Sequence, residues 1–229
     1  MKKLLLIYFT SIILLIAGCS IQPQEKSSSS GGVINSSSSG ESSSSSSGEL
    51  DPNKLHIIAS NINESALFHK IYISGNYLFV AAGYSGLKIF NINDPSNPVH
   101  VKTIDTSGYA YGVYVSGKYA YVADSGSGLQ IIDINNPTNA YIVTNVDTTG
   151  YAYSVYVSGK YAYVADYTKG LQIIDISNPT NASIIKTVDT SGYAHGVYVS
   201  GNYAYIADYN SGLQIIDINN PTNASIIKT

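Results

Sequence analysis

The fold of this chain is decided by a stretch that it repeats, GVYVSGKYAYVADSGSGLQIIDINNPTNAYIVTNV at residues 112–146. Short runs rich in Val, Ile and Tyr alternate in this stretch with Gly, Ser, Asn and Pro, which favour turns. No run keeps a helical periodicity between these turn residues. The pattern predicts four strands in each unit: Gly112–Ser116, Tyr119–Asp124, Leu129–Ile134 and Tyr141–Val146.

The unit recurs every 42 residues from about residue 55 to residue 229. The proline of the third turn shows the step most simply: Pro95, Pro137, Pro179 and Pro221. Residues 151–187 and 193–229 differ at 7 of 37 positions, which indicates recent tandem duplication. Four short strands in a unit of this length are typical of a β-propeller blade. We therefore predict an all-β fold, a β-propeller of about four four-stranded blades. A β-solenoid is the alternative, although its coils usually have shorter periods.

The run GLQIIDINNP at 128–137, together with VYVSGKYAYVAD at 113–124, resembles the LVIVD repeat, which is named after its third-strand motif. The resemblance extends over about 175 of the 229 residues. It implies a β-propeller of an exported bacterial or archaeal protein, in a family whose members mostly have no assigned activity. The first unit departs from the others because Ala82 stands where they have aspartate.

The N-terminal segment has the charge order of a secretory signal peptide, with two lysines before an apolar run at 4–17. As a helix this run would span about 21 Å, less than a bilayer core of about 30 Å, which favours a cleaved signal at 1–18. The sequence IAGC at 16–19 resembles the lipobox of bacterial lipoproteins. The resemblance implies that Cys19 is lipidated, becomes the mature N-terminus and holds the protein on the cell envelope. Because Ser20 rather than Asp follows, the outer membrane is implied if the cell is Gram-negative.

Residues 19–50 continue from this cysteine into a segment with almost no hydrophobic pattern, in which 14 Ser lie between Ser27 and Gly48. Such a segment cannot bury enough apolar area to offset the entropy of ordering it. It predicts a flexible tether with a root-mean-square reach of roughly 30 Å. The predicted organisation is a signal peptide at 1–18, a lipidated tether at 19–50 and propeller repeats at 51–229.

The composition narrows the classes of function. All 12 basic residues are Lys and the formal net charge is -3, which argues against a nucleic-acid partner. One Cys cannot form an intramolecular disulfide or a Cys-rich zinc site. The chain has no G-x-S-x-G elbow, no H-E-x-x-H motif and no Gly-rich loop leading into a helix. We predict that the protein is not an enzyme, with no catalytic residue, no bound metal and no cofactor.

Aspartates recur at fixed positions of the units, and three of them end the predicted second strand: Asp124, Asp166 and Asp208. Rings of carboxylates could hold Ca²⁺ around a channel. Short acidic side chains also cap turns and accept backbone N–H bonds. The turn-capping interpretation is favoured because no D-x-D-x-D-G spacing is present.

One position just before the innermost strand differs between units: His69, Tyr111, Tyr153 and His195. If four blades close into a ring, blades one and four are neighbours, and His69 and His195 approach each other at one channel mouth. The four side chains are therefore a candidate ligand ring, which could bind a metal or perform acid–base chemistry. The alternative is that polar aromatic side chains merely line a tunnel.

The units also vary in the loop between the second and third strands, at 83–85, 125–127, 167–169 and 209–211. Loop tips can change without disturbing the fold, so an interaction surface could be tuned there. Tyrosine offers an apolar body and a polar tip to such a surface, although most of the 21 Tyr occupy strand positions where core packing is the simpler account.

The number of strands raises a question of ring closure. Residues 55–63 are in phase with Val99–Asp105, so they add an outer strand, and the last unit also supplies one before Thr229. Three arrangements remain open: a ring with a spare strand, a homodimer that completes a larger ring, or a longer array. An exposed strand edge recruits other chains.

Together these features predict a lipid-anchored, extracytoplasmic β-propeller. We expect it to act as a non-catalytic binding or scaffold module for a protein or glycan partner, with the membrane contacted through the lipid. The alternatives are a hydrolase or lyase with a site at the propeller channel mouth, and a passive surface-layer protein.

Overall fold

The computed structural model of the protein describes residues 66–228. The predicted signal peptide at 1–18, the tether with Cys19 and the extra strand at 55–63 lie outside the described residues. Between residues 66 and 228, no helix has the length and apolar character needed to cross a lipid bilayer.

The described residues form four antiparallel four-stranded sheets, in each of which the strands pair in chain order. Blade 1 contains β1 (Lys70–Ser74), β2 (Tyr77–Ala81), β3 (Leu87–Asn91) and β4 (Val99–Ile104). Blade 2 contains β5 (Gly112–Ser116), β6 (Tyr119–Ala123), β7 (Leu129–Asp133) and β8 (Tyr141–Val146). Blade 3 contains β9 (Ser154–Ser158), β10 (Tyr161–Ala165), β11 (Leu171–Asp175) and β12 (Ser183–Val188). Blade 4 contains β13 (Ala194–Ser200), β14 (Tyr203–Asp208), β15 (Gly212–Asp217) and β16 (Ser225–Lys228). The predicted four-stranded unit is confirmed.

The turns of blade 2 show why the sequence breaks into these strands. Gly128 has a φ of +70°, and a Cβ atom there would collide with the Val146 carbonyl oxygen, so this turn requires glycine. Asp124 donates its N–H to the Gly128 oxygen at 2.9 Å, which begins the turn one residue earlier than predicted. After β7, Pro137–Asn139 form a short 3₁₀ turn capped by the Asn136 side chain.

The hydrophobic core lies between successive blades rather than inside a single sheet. The inner strands contact one another in order, β1 with β5, β5 with β9 and β9 with β13. Between blades 2 and 3, for example, Leu129 and Ile131 pack in one buried cluster with Val155 and Val157. Each middle blade is therefore apolar on both faces.

Blade 4 differs from the others in the exposure of its second face. Leu87, Leu129 and Leu171 are fully buried against the following blade, whereas the equivalent Leu213 is 55 % exposed. Tyr198 of the inner strand is 59 % exposed. The face that blades 1 to 3 bury against a neighbour is thus open to solvent in blade 4.

Candidate functional site

Two kinds of loop meet at the same end of each blade. One kind joins the second strand to the third, and the other, the blade-connecting loop, joins an outer strand to the next inner strand. Single backbone bridges link the two kinds: Gly83 with Ala110, Ser125 with Ala152 and Tyr167 with Ala194. In blades 1 to 3 the loop between the second and third strands is therefore attached to the segment that enters the following blade, whereas in blade 4 the Tyr209 N–H donates to the Tyr193 oxygen of the loop that enters the same blade.

The predicted ligand ring forms a row of aromatic side chains across the four blades. The ring centroids of His69 and Tyr111 are 5.0 Å apart, those of Tyr111 and Tyr153 are 4.4 Å apart, and those of Tyr153 and His195 are 4.6 Å apart. His69 and His195 are the two ends of this row, and the ring contacts of the described residues do not join them. The structure thus brings each histidine against tyrosines.

Three further tyrosines of this site were not among the residues predicted from the sequence: Tyr109, Tyr151 and Tyr193, one in each blade-connecting loop. The Tyr109 hydroxyl is hydrogen-bonded to His69 Nε2 at 2.8 Å. The Tyr193 ring is stacked on Tyr167 with centroids 4.4 Å apart and planes at 9°. Their recurrence at the 42-residue step, in a loop where no strand packing requires an aromatic residue, is the signal that could have identified them.

The second-to-third-strand loops add three more tyrosines to the same surface. The centroid of Tyr84 lies 4.6 Å from that of Tyr109, that of Tyr167 lies 5.4 Å from Tyr153, and that of Tyr209 lies 5.8 Å from His195. All these rings form one connected set, here called the aromatic face: His69, Tyr84, Tyr109, Tyr111, Tyr151, Tyr153, Tyr167, Tyr193, His195 and Tyr209.

Three rings of the aromatic face project into water while others are packed beneath them. Tyr84 is 85 % exposed, Tyr209 is 79 % exposed and Tyr151 is 54 % exposed. Tyr111 and Tyr153, whose planes differ by 22°, are stacked and only partly exposed. A layer of packed rings therefore supports tyrosines that are available to a ligand.

The pKa shifts of two rings of the aromatic face, His69 and Tyr153, favour the neutral forms of these side chains. Burial lowers the pKa of His69, and it raises the pKa of Tyr153, with further contributions from neighbouring tyrosines. At neutral pH the His69 ring is uncharged and the Tyr153 hydroxyl keeps its proton. These two rings therefore offer hydrogen bonds and π surface rather than charge.

The blade-connecting loops are held in shape by their own aspartates. Asp147 Oδ1 accepts the N–H of Thr149 at 2.8 Å, and Thr149 has a φ of 61°, in the left-handed region. Asp105 and Asp189 make the same bond in their loops, at 2.9 and 2.8 Å. These exposed carboxylates thus fix the backbone beside the aromatic face and place negative charge near it.

The aspartates that end the second strand are buried in networks that link neighbouring blades. The Thr106 hydroxyl donates to Asp124 Oδ1 at 2.6 Å, and Gln130 Nε2 donates to Asp124 Oδ2 at 3.3 Å. Asp166 repeats this arrangement in blade 3, whereas both carboxylate oxygens of Asp208 are buried without a hydrogen-bond partner. No three His, Asp or Glu side chains within 66–228 are grouped so that they could hold a metal ion.

Burial raises the pKa of Asp124 and Asp166 to about 6 in each case. Hydrogen bonds from the threonine and glutamine side chains act in the opposite direction because they stabilise the carboxylate. The geometry is that of a structural clasp between blades, with the carboxyl groups occupied by protein donors.

A lysine of the first inner strand reaches the third blade. Lys70 Nζ donates to Ser154 Oγ at 3.4 Å, which joins blade 1 to blade 3. Desolvation lowers the pKa of Lys70. In the other units Gly112, Ser154 and Gly196 occupy the position of Lys70. A charged residue where the other repeats have Gly or Ser is the sequence signal that could have identified this lysine.

The family comparison matches the LVIVD repeat to residues 69–106, 107–148, 149–190 and 191–229. The chain belongs to the LVIVD-repeat family. The predicted family and the repeat architecture are thereby confirmed, with four repeats in the sequence. No curated protein matches this LVIVD-repeat chain.

Solved structures share the fold of this LVIVD-repeat protein at low sequence identity. The β-propeller domain of Cps50 (Swd1) from Myceliophteria thermophila aligns with a TM-score of 0.62 and 13% identity, over 78% of this chain and 64% of that one. A functionally unknown protein from Desulfotomaculum acetoxidans aligns with a TM-score of 0.61 and 12% identity, over 73% and 57% of the two chains. The computationally designed Ika8 protein aligns with a TM-score of 0.60 and 8% identity, over 75% and 51%.

These likenesses confirm the propeller fold and concern the fold alone. This chain spans between about half and two thirds of the length of those three chains.

Proposed function

We propose that this LVIVD-repeat protein is a non-catalytic binding module of the cell envelope, and that the aromatic face is its recognition surface. The partner is a protein or a glycan displayed at the envelope. The observation that carries the proposal is the connected set of ten rings, drawn from all four repeats and including three strongly exposed tyrosines.

The chemistry of these rings suits recognition. Tyrosine supplies a large apolar surface and one hydroxyl while losing little conformational entropy on binding. The loops that present Tyr84 and Tyr167 are tied to their neighbours by backbone bridges at Gly83 and Tyr167. A surface that is already ordered loses less free energy when it binds a ligand.

The titratable groups near the aromatic face support a binding role over catalysis. His69 is hydrogen-bonded to Tyr109, and Asp124 and Asp166 accept bonds from buried threonines and glutamines. These groups are used to hold the loops and blades together. The proposal therefore assigns no catalytic residue and no cofactor.

Export and anchoring complete the proposal. The charge order of the first residues and the lipobox-like IAGC at 16–19 support transfer across the membrane and lipidation of Cys19. The Ser-rich segment at 19–50 would then hold the propeller away from the lipid headgroups.

Binding of the full chain to isolated cell envelopes tests the recognition surface. We expect the combined variant Tyr84→Ser and Tyr209→Ser to lose most of the binding, because it removes two exposed rings. Tyr141→Ser is the matched control, since Tyr141 is 57 % exposed on the outer strand β8 and is not part of the aromatic face. Equal binding by the unmodified protein, the combined variant and Tyr141→Ser would contradict the proposal.

A further inference from the structure

The three exposed tyrosines of the aromatic face keep free ring surface: Tyr209 is 79 % exposed, and Tyr84 and Tyr151 meet their neighbours edge to face. Tyr84 meets Tyr109 with the two planes at 86°, and Tyr151 meets Tyr167 at 74°. In such an edge-to-face pair one ring supplies its edge and the other one of its faces. Whichever ring supplies the edge, Tyr84 and Tyr151 each retain at least one face that this contact does not cover.

A ring face of this kind attracts weakly positive C–H groups, because the π system is negative at its face. A pyranose ring has such a face of C–H groups, surrounded by hydroxyl groups at its rim. The loops around the aromatic face can hydrogen-bond that rim through phenol and hydroxyl groups and through exposed carboxylates such as Asp147. The surface therefore offers both of the contacts that a sugar residue requires.

The composition of the loops distinguishes a sugar from other ligands. The segments 105–111, 147–153 and 189–195, which comprise the blade-connecting loops and the first two residues of β13, contain Asp, Thr, Ser, Gly, Tyr, Ala and His, and no Val, Ile, Leu or Met. Protein interfaces are usually organised around a fully buried apolar centre, for which these segments supply no aliphatic side chain larger than that of alanine. The aspartate that begins each loop would repel a phosphate-rich polymer.

The symmetry of the surface also favours a repeating ligand. Tyr109, Tyr151 and Tyr193 recur at the 42-residue step, and so do Tyr167 and Tyr209, whereas Tyr84 lies one position later in the corresponding loop of the first unit. Successive blades thus present similar chemistry side by side. A polymer of similar residues can contact several of these positions at once, which raises its overall affinity.

The loops that present these rings are constrained before any ligand arrives. Gly83, next to Tyr84, is bridged to Ala110, and Ala152, next to Tyr151, is bridged to Ser125. The backbone N–H of Tyr209 donates to the Tyr193 oxygen at 3.0 Å. Because the rings are already positioned, stacking of a ligand on them costs little ordering entropy.

From these observations we infer that the ligand of the aromatic face is a neutral glycan chain, whose pyranose rings stack on Tyr84, Tyr151 and Tyr209. This inference rests on the proposed function and specifies its ligand class. It requires that the ring, rather than the phenolic hydroxyl, supplies most of the contact.

The test is isothermal titration of the full chain with five neutral hexasaccharides: cellohexaose, xylohexaose, mannohexaose, maltohexaose and chitohexaose. We expect at least one of them to bind, and we expect Tyr84→Ser or Tyr209→Ser to weaken that binding by about fivefold each. Tyr209→Phe keeps the ring and should remain within about twofold of the unmodified protein. Tyr141→Ser serves as the control outside the aromatic face and should leave the affinity unchanged.

The results separate this inference from the proposed function. In one outcome the protein binds none of the hexasaccharides but still binds cell envelopes, and the combined Tyr84→Ser and Tyr209→Ser variant loses the envelope binding. In that case the ligand is not a neutral glycan, and the aromatic face is still the recognition surface. If a hexasaccharide binds equally well to the Tyr→Ser variants, the glycan does not lie on these rings and the inference is wrong. Failure of both hexasaccharide and envelope binding contradicts the inference and the proposed function together.

Discussion

The buried carboxyl groups of Asp124 and Asp166 predict that the propeller loses stability as the pH rises. Burial raises the pKa of each from 3.8 to about 6, so the folded state binds these protons more tightly than the unfolded state. Their contribution to stability is complete below about pH 4, decreases between about pH 4 and pH 6, and is lost above that window.

The magnitude follows from the pKa difference and the burial. A difference of about 2 in pKa corresponds to about 3 kcal/mol for each carboxyl group, or a slope of about 1.4 kcal/mol per pH unit across the window. Both side chains are fully buried, so solvent screening does not reduce these values. Together the two groups should lower the free energy of unfolding by about 6 kcal/mol between pH 4 and pH 7.

The assay is urea unfolding followed by circular dichroism at pH values from 4 to 7.5, with the free energy of unfolding extrapolated to water. Asp124→Asn and Asp166→Asn should each remove about half of the pH dependence, and the double variant should remove nearly all of this component. An asparagine carbonyl can still accept the threonine hydroxyl, which limits the structural damage. Comparison between variants also cancels the effects of Asp94 and Asp175, whose pKa values are lowered by hydrogen bonds from nearby serines and which act in the opposite direction.

Either of two results would contradict a loss of stability caused by Asp124 and Asp166. One is a double variant with the same pH dependence as the unmodified protein, which would mean that other groups cause it. The other is a difference between unmodified and variant proteins that grows more favourable from pH 4 to pH 6, which would mean that the buried carboxylates are stabilised as anions.

Three further predictions concern the turns, the anchor and the assembly. Gly128→Ala should lower the free energy of unfolding by at least about 3 kcal/mol, because the added Cβ would strike the Val146 carbonyl oxygen. Gly117→Ala, which lies in open space at a φ of 58°, should lower it by only about 1 to 2 kcal/mol. Equal losses for the two variants in urea unfolding would contradict this account. Cys19→Ser should release the protein from membranes, and its persistence there after a high-salt wash would argue against lipidation. Residues 51–229 should form a dimer or a poorly soluble species, because an exposed strand edge recruits other chains. Removal of residues 51–63, or addition of a fifth 42-residue unit, should change that oligomeric state. If light scattering shows a compact, soluble monomer for the 51–229 segment and for both altered forms, a self-closed four-bladed ring is favoured instead.

The sequence by itself determined the blades of this protein. Runs rich in Val, Ile and Tyr between turn residues predicted the four strands of each unit, because strand and turn preferences act over a few neighbouring residues. The errors are small, as where β6 ends at Ala123 and β7 at Asp133, each one residue before the predicted end. Only the contacts across the turn, such as the bond from the Asp124 N–H to the Gly128 oxygen, decide those last positions.

The sequence also identified part of the candidate site. The position shared by His69 and His195 and the variable loops with Tyr84 and Tyr209 were predicted from the repeats. That they form one surface with Tyr109 depends on bridges between loops that belong to different blades. No local pattern could show those contacts.

The tertiary structure alone decided how equivalent segments differ. The run GLQIID occurs at 170–175 and again at 212–217, yet Leu171 is fully buried and Leu213 is 55 % exposed. In the same way Lys70 meets Ser154, which lies 84 residues further along the chain. A local sequence specifies its own backbone, but burial and charge environment depend on which neighbour packs against that backbone, and the neighbour is set by the assembled blades.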